Sequence, residues 1–549
     1  MTTTTATREV SDPISKVLAR PDEIADSLVM TGASAAEAES VDLMLGAVRT
    51  WAGRHVNSET TDRCGQVPRA LYASAAELGL FGLLVPETHG GAGFSLTAAG
   101  RLIEEVATFD RSVATGIGMH NGLGLRGLIR FGSRAQRERY LPEIAVGKRI
   151  TAFACTEPEA GSHIAGVKTT ARWDGDKTLT ISGTKCFVTN GAFADLFTIL
   201  AATPGLGGAK RGLSLILVPR ETAGISIGKK EETLGIRGSS TTTVTFDDVK
   251  IGIDHVLGEP SRGLEHLADV LAWGRTLMSA GCVGTAREAY RRAAGYVMTR
   301  HQFGRAIGTF GQVRAKIAAM RSTLFAMESL VRLTTQLAST ATSDIVWESS
   351  IAKVFASEAT WRIADDAVQL HGGSGFCEET GVARLLRDCR ITRIFEGANE
   401  LLRFHISSAA LGFTASLTGG PRLTARVDGR LSDLTHIVDG HVTSYVQAID
   451  VLRERYGIRV AEHQSLLAHL ADASIGLVAL IAVVLRAHGE LRVAPSSERA
   501  EHVVMLAHHA AETLSRTVVD GLVATATEST EKRARAISDH AYAEISRGL

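Results

Sequence analysis

The chain of 549 residues carries no excess of either charge: 59 lysines and arginines face 59 aspartates and glutamates. Without a net field, attraction of nucleic acid or an anionic membrane to the protein as a whole is excluded, and only local patches remain. Cysteine is scarce, and the six residues Cys64, Cys155, Cys186, Cys282, Cys377 and Cys389 lie far apart. No CxxC pair and no histidines at zinc spacing accompany them, so no metal is expected and the thiols should be reduced. No apolar run approaches the roughly 20 residues that span a bilayer. The longest, Ile475 to Leu485, reads as a buried helix. The threonine-rich start soon turns acidic at Glu9, Asp12 and Asp22, without the apolar centre of an export signal or the arginine-rich character of a transit peptide. A cytoplasmic location is expected. Nor does any segment repeat at a fixed period.

What is present exceeds one ordinary core and predicts two to four domains. After an N-terminal extension over 1–34, expected to be loose and flexible, residues 35–150 show mostly helical spacing, as in Leu43, Leu45, Val48 and Trp51. Over 151–260 the texture changes to short β-rich runs, among them Thr178 to Ser182, Leu196 to Ala201, Leu213 to Val218 and Thr241 to Phe246. An antiparallel β-domain is predicted there. Helical blocks from Leu264 to Arg300, Phe310 to Ala338, Ile345 to Leu370 and Gly381 to Arg390 then predict a four-helix bundle over 261–411. A Gly-, Ser- and Pro-containing linker, Gly412 to Arg422, precedes a second helical block within 412–549.

Several stretches have the composition of a binding site. Phe153 to Ser162 joins hydroxyls, a proline and a Gly-Ser pair where backbone N–H groups can meet a phosphate or a ring edge. An ordinary turn accounts for it as well. Phe187 and Thr189 are two apart and share a face if extended. Arg300 stands at a helix end before Phe303-Gly304, where a cation also suits the helix dipole. Gln369-Leu370-His371-Gly372-Gly373 closes another helix with glycines that admit a ligand or merely cap it. The most pointed feature is Arg393 to Glu400, where Glu396 sits between a bulky apolar residue and glycine. An apolar pocket raises a carboxylate's pKa and matches it to removing a proton from carbon.

Taken together and in this order, FACTEPEAGS, KCFVTNG, LGIRGSSTTTVTFDDVKI, TRHQFGR, VQLHGGSGF and RIFEGANELLR resemble the acyl-CoA dehydrogenase family. The likeness runs from Leu78 to Leu411, and the block around HLADASIGLVALIAVVLRA resembles the C-terminal extension of the very-long-chain members. The resemblance implies a mainly α fold with a central β-domain: helical domain, antiparallel β-barrel domain, four-helix bundle and extra helical domain. It also implies one non-covalent FAD per subunit. Phe153, Cys155, Thr156, Gly161, Ser162, Phe187, Val188 and Thr189 would hold its isoalloxazine. Arg300, Phe303, Gln369, Leu370, Gly372 and Gly373 would hold the adenine diphosphate half across a subunit interface, and Ala398, Asn399 and Glu400 would touch the same cofactor. Ser162 and Arg275 would contact or frame an acyl-CoA thioester, with Phe395 and Gly397 flanking the reacting carbons. Glu396 takes the position of the base that removes the α-proton, while a hydride leaves the β-carbon. A homodimer or higher assembly and an electron-transferring flavoprotein as acceptor are further implications.

The sequence departs from the family pattern at His163, where an aspartate is usual, and at Ala272, where aspartate or asparagine is usual. Both changes leave room for a rival substrate, an acyl group on a carrier protein. Phe187 replaces a frequent tryptophan, and Ala398 drops a hydroxyl. The segment Met119 to Leu125 aligns with the tunnel-lining helix, and its glycines fit medium to very long acyl chains. No basic amphipathic helix stands out in the extension, so membrane attachment is not expected. An oxidase returning electrons to oxygen and, from a different class, a non-catalytic helical scaffold complete the alternatives; an acid in an apolar pocket argues against the scaffold.

Overall fold

The computed structural model describes residues 13–29, 34–208, 210, 212–340, 345–412, 422–423, 427–526 and 528–546. The expected linker is thus mostly outside the described residues. Helical segments begin where the sequence supplies caps: Ser34 accepts from Glu37 N ahead of Ala35–His55, Ser95 from Ala98 N ahead of Leu96–Phe109, and Asp110 from Val113 N ahead of Arg111–Met119. The last of these passes through a π-helical turn, His120–Gly124, into Leu125–Phe131.

The central sheet has eight strands: β1 (Thr151–Ala154), β2 (Thr170–Trp173), β3 (Thr178–Val188), β4 (Leu196–Ala202), β5 (Leu213–Pro219), β6 (Ile225–Lys230), β7 (Thr242–Gly252) and β8 (Val256–Leu257). They run in the order β6-β7-β3-β2-β4-β5-β8, with β1 beside β4. Strands β4 and β5 are buried at every residue, as continuous apolar runs covered on both faces should be. The β2–β3 turn follows from Asp174, whose Oδ1 accepts from the N–H groups of Asp176 and Thr178 around Gly175 at φ 94°. The expectation of an antiparallel sheet needs one correction: β1 and β2 both pair with β4 in parallel.

The bundle consists of Gly263–Thr299, Gly311–Thr340, Val346–His371 and Val382–Arg390, followed by Asn399–Leu411. Its core is continuous with that of the extension helices Ser432–Tyr456, Gln464–Val493 and Glu498–Thr525. By length and composition Gln464–Val493 is able to cross a membrane, but 83% of its most apolar window is buried inside the protein. The expectation of a loose N-terminal extension is corrected for residues 13–29. Pro13–Ala19 and Pro21–Val29 are helices whose Ile14, Leu18, Ile24 and Leu28 join that same core, because the apolar face of Gln464–Val493 needs cover on this side too.

Candidate active site

Glu396 lies in the short connection between the 3₁₀ turn Ile391–Arg393 and the helix Asn399–Leu411. Its backbone is left-handed, at φ 56°, and Gly397 follows at φ 102°. Two cationic side chains fix this turn from behind. Arg275 Nε donates to the Glu396 carbonyl at 3.0 Å and its Nη1 to Ser350 Oγ at 3.2 Å. Lys353, 0% exposed, donates to the Gly397 carbonyl at 2.7 Å and to Asn399 Oδ1 at 2.8 Å. Asn399 in turn donates to Ser357 Oγ and Glu358 Oε1.

Both carboxylate oxygens of Glu396 are shielded from solvent and have no hydrogen-bond partner among the described residues. Burial drives the carboxyl up to about 7, and the nearby charges of Arg275, Lys353 and Arg111 oppose this only in part. Burial also lowers Lys353, to about 7, and Arg275, to about 10. The carboxylate faces a cavity lined by Ile103, Thr115, Met119, Leu277, Met278 and Phe395 among others. Gly274 makes the approach possible, since a Cβ there would sit 2.2 Å from Leu123 Cδ2 and 2.8 Å from Glu396 Oε2.

A second region is built on β3. Lys185, wholly buried, donates to Glu157 Oε1 at 2.7 Å and to the Cys155 carbonyl at 3.1 Å, and Cys186 N donates to the Thr156 carbonyl. These contacts hold the Phe153 to Ser162 loop beside the end of β3, where Phe187 is 65% exposed at φ 55°. Gly161 and Ser162 are exposed, Phe153, Cys155 and Thr156 partly so, and Thr189 is buried. A Cβ on Gly161 would meet nothing within 4 Å, so the loop borders open space.

The third group stands apart. Tyr296 and His371 stack at 4.2 Å, which brings Arg300 and the Gln369 to Gly373 turn to one end of the bundle. Arg300, Gln369, Gly372 and Gly373 are exposed there. Phe303, at φ 52° and 93% exposed, turns the ribbon β9 (His301–Gln302) to β10 (Arg305–Ala306). Arg300 is 26 residues beyond Gly274 along one helix, a rise of about 39 Å at 1.5 Å per residue. One chain therefore does not gather all the anticipated cofactor residues. Phe187, Phe303 and Glu396 are nonetheless three of only seven described non-glycine residues with positive φ, and such strain concentrates at functional sites.

The side chains of Val188 and Leu370 are packed in apolar cores, and that of Asn399 is committed to Lys353, Ser357 and Glu358, so none of the three presents its side chain to a ligand. Arg275 frames the base from behind instead of lining the cavity. Phe395 lines the cavity beside Glu396, Gly397 provides the turn, Ala398 is half-buried and Glu400 is exposed. Ala272 is buried in the core of the N-terminal helices, whereas His163 is exposed. The sequence reading missed Lys353 and Arg111. A lone lysine within Ser349 to Ala359 and a lone arginine opening the small, apolar Ser112 to Met119 stretch were the available signals.

Comparison with known proteins gives the same order of parts. The acyl-CoA dehydrogenase N-terminal, middle and C-terminal domain models match residues 38–148, 152–249 and 261–411, and the ACAD9/ACADV C-terminal domain matches 429–547. The chain is 35% identical over 452 residues to the mitochondrial very long-chain specific acyl-CoA dehydrogenase of Mus musculus, covering 76% of this chain and 69% of that one. It is 35% identical over 375 residues to an acyl-CoA dehydrogenase of Bacillus subtilis (strain 168), covering 68% and 98%. The crystal structure of an acyl-CoA dehydrogenase complexed with FAD from Bacillus anthracis superposes with a TM-score of 0.77 at 26% identity, over 94% of this chain and 89% of that one. The chain belongs to the acyl-CoA dehydrogenase family of oxidoreductases, in the form that carries the additional C-terminal helical domain.

Proposed function

We propose that the protein removes two hydrogens from a medium to very long fatty acyl-CoA and yields the trans-2-enoyl-CoA. Glu396 takes the proton from Cα while a hydride leaves Cβ, so that the Cα–Cβ single bond becomes double. The observation that carries this reading is the shielded carboxylate of Glu396, without a hydrogen-bond partner among the described residues and at the wall of a cavity. A base in that state loses no bond when it takes up a proton, and its pKa of about 7 suits transfer near neutral pH. Its turn is held rigid by Arg275 and Lys353, which keeps the carboxylate in one orientation toward the reacting carbon. The N–H of Glu396 would stabilise the negative charge that develops on the thioester oxygen.

Phe187 and the Phe153 to Ser162 loop offer an exposed aromatic face and open space at Gly161 for FAD. When bound there, FAD supplies the acceptor for the β-hydride. The separation of about 39 Å between Gly274 and Arg300 favours a homodimer, in which Arg300, Phe303 and Gly372-Gly373 serve the cofactor of the other subunit. Exposed Met298, Phe303 and Phe376 at that end of the bundle fit an interface. An electron-transferring flavoprotein is the proposed acceptor and the cytoplasm the proposed location.

A panel of saturated acyl-CoAs from four to twenty carbons, added anaerobically to FAD-loaded protein, tests the reading. Bleaching of the flavin with formation of the 2-enoyl thioester is expected across a bounded chain-length range. Bleaching only by the same chains on a carrier protein transfers the assignment to that substrate, and stoichiometric peroxide in air without another acceptor marks an oxidase.

A further inference from the structure

The cavity that Glu396 faces has a second charged wall. Arg111, 4% exposed, lines it together with Ala114, Thr115, Leu277 and Met278. Three features make this arginine costly as a structural residue. It opens the helix Arg111–Met119, where the helix dipole disfavours a cation. It is buried, yet it belongs to no ion pair among the described residues. Of the five N–H donors a guanidinium carries, the one hydrogen bond made among the described residues is from Nη2 to Cys282 Sγ at 3.9 Å, a weak acceptor. Its neighbour Asp110 is spent as the helix cap.

The position of Arg111 relative to the base follows from two glycines on one helix. A Cβ on Gly274 would meet Glu396 Oε2 at 2.8 Å, and a Cβ on Gly281 would meet Arg111 Nη1 at 2.2 Å. Seven residues are close to two helical turns, so both glycines face the same way and lie about 10 Å apart. Leu277 and Met278, between them, line the cavity. The substrate cavity thus runs along this face with a carboxylate at one end and a guanidinium at the other.

Resting on the dehydrogenation reading above, we propose that Arg111 is a specificity-determining residue that binds an oxygen-bearing group, best a carboxylate, on the acyl chain beyond the reacting carbons. An extended carbon chain advances about 1.25 Å per bond, so with a contact of about 3 Å at each end the group lies roughly three to four bonds from Cα. The preferred substrate class is therefore an ω-carboxylated or similarly oxygenated acyl-CoA instead of a plain hydrocarbon chain. Gly281 has no side chain because the guanidinium occupies its place.

The test compares hexanoyl-CoA with its ω-carboxyl counterpart, the mono-CoA thioester of hexanedioic acid, on FAD-loaded wild type, Arg111→Leu and Arg111→Gln. The wild type is expected to favour the ω-carboxyl substrate in kcat/KM by about 10- to 100-fold, the range of one buried charge-assisted contact. Both variants should reverse that ratio. An unchanged ratio in a folded variant, or a wild-type preference for hexanoyl-CoA, overturns the proposal while the dehydrogenase reading stands. If neither thioester bleaches the flavin, the dehydrogenase reading itself has failed. Calorimetric Kd values of the two thioesters, for wild type and Arg111→Gln, then decide the binding claim alone: equal ratios refute it, and a loss confined to the ω-carboxyl ligand upholds it.

Discussion

Two buried glutamates on the bundle side of the molecule end in opposite states. Glu328, on Gly311–Thr340, accepts from Arg287 and Arg486 at 2.9 Å each. Burial by itself would raise its pKa, but Arg486, Arg287 and Arg332 outweigh burial and hold the carboxyl well below the usual range. Glu104 shares Arg287, and Glu490 shares Arg486, so the charges form a lattice tying the N-terminal helices, the bundle and the extension together. Glu396 has cations nearby too, but the hydrogen bonds of Arg275 and Lys353 go to backbone carbonyls and Asn399, not to its carboxylate. Burial then wins. The difference shows that whether a buried acid is structural or reactive depends on where the neighbouring donors point.

The sharpest way to break the comparison is to remove each carboxylate. Glu396→Gln should lower the rate of flavin reduction by at least about 10³-fold in stopped-flow, within the range for a lost general base, while acyl-CoA still binds. Glu328→Gln should instead destabilise the fold by about 3–5 kcal/mol in denaturant titration, because it leaves buried arginines unpaired. Next in size is Lys353→Met, which frees the Gly397 carbonyl and Asn399. A drop in kcat of about 10- to 100-fold is expected, equivalent to ~1.4–2.8 kcal/mol of positioning, with KM little changed.

The pH dependence sharpens the contrast. Glu396 must be ionised to act, so the reduction rate should climb with pH and level off above about 7. Its folded pKa lies above the unfolded value, so ionisation costs stability as pH rises from about 4.5 through 7. Relative to Glu396→Gln, the wild type should lose up to about 3 kcal/mol between pH 4 and pH 8 in paired denaturant titrations.

Much of this was legible in the sequence because helical and strand periodicities are local. Leu264 to Arg300 is the helix Gly263–Thr299, and Leu196 to Ala201 is β4. Glu396 stood out through its apolar neighbour and glycine, and through its place in a run of family motifs. What stayed hidden depends on partners distant in sequence. Glu328 and Arg486 are 158 residues apart, and Lys353 and Gly397 are 44 apart. The parallel pairing of β1 with β4 leaves no trace in alternation, and periodicity cannot reveal that residues 13–29 cover the Gln464–Val493 helix. Arg111 was overlooked because a charged residue beside a helix cap ordinarily faces solvent.

The most direct test of the central claim is anaerobic mixing of FAD-loaded wild type and Glu396→Gln with one saturated acyl-CoA that both bind, followed by flavin absorbance across pH 5 to 9. The account predicts bleaching by the wild type at a rate rising through about pH 7, and none by the variant on the same timescale. Bleaching of the variant at a rate within tenfold of the wild type, with the same pH profile, would show that another group removes the proton.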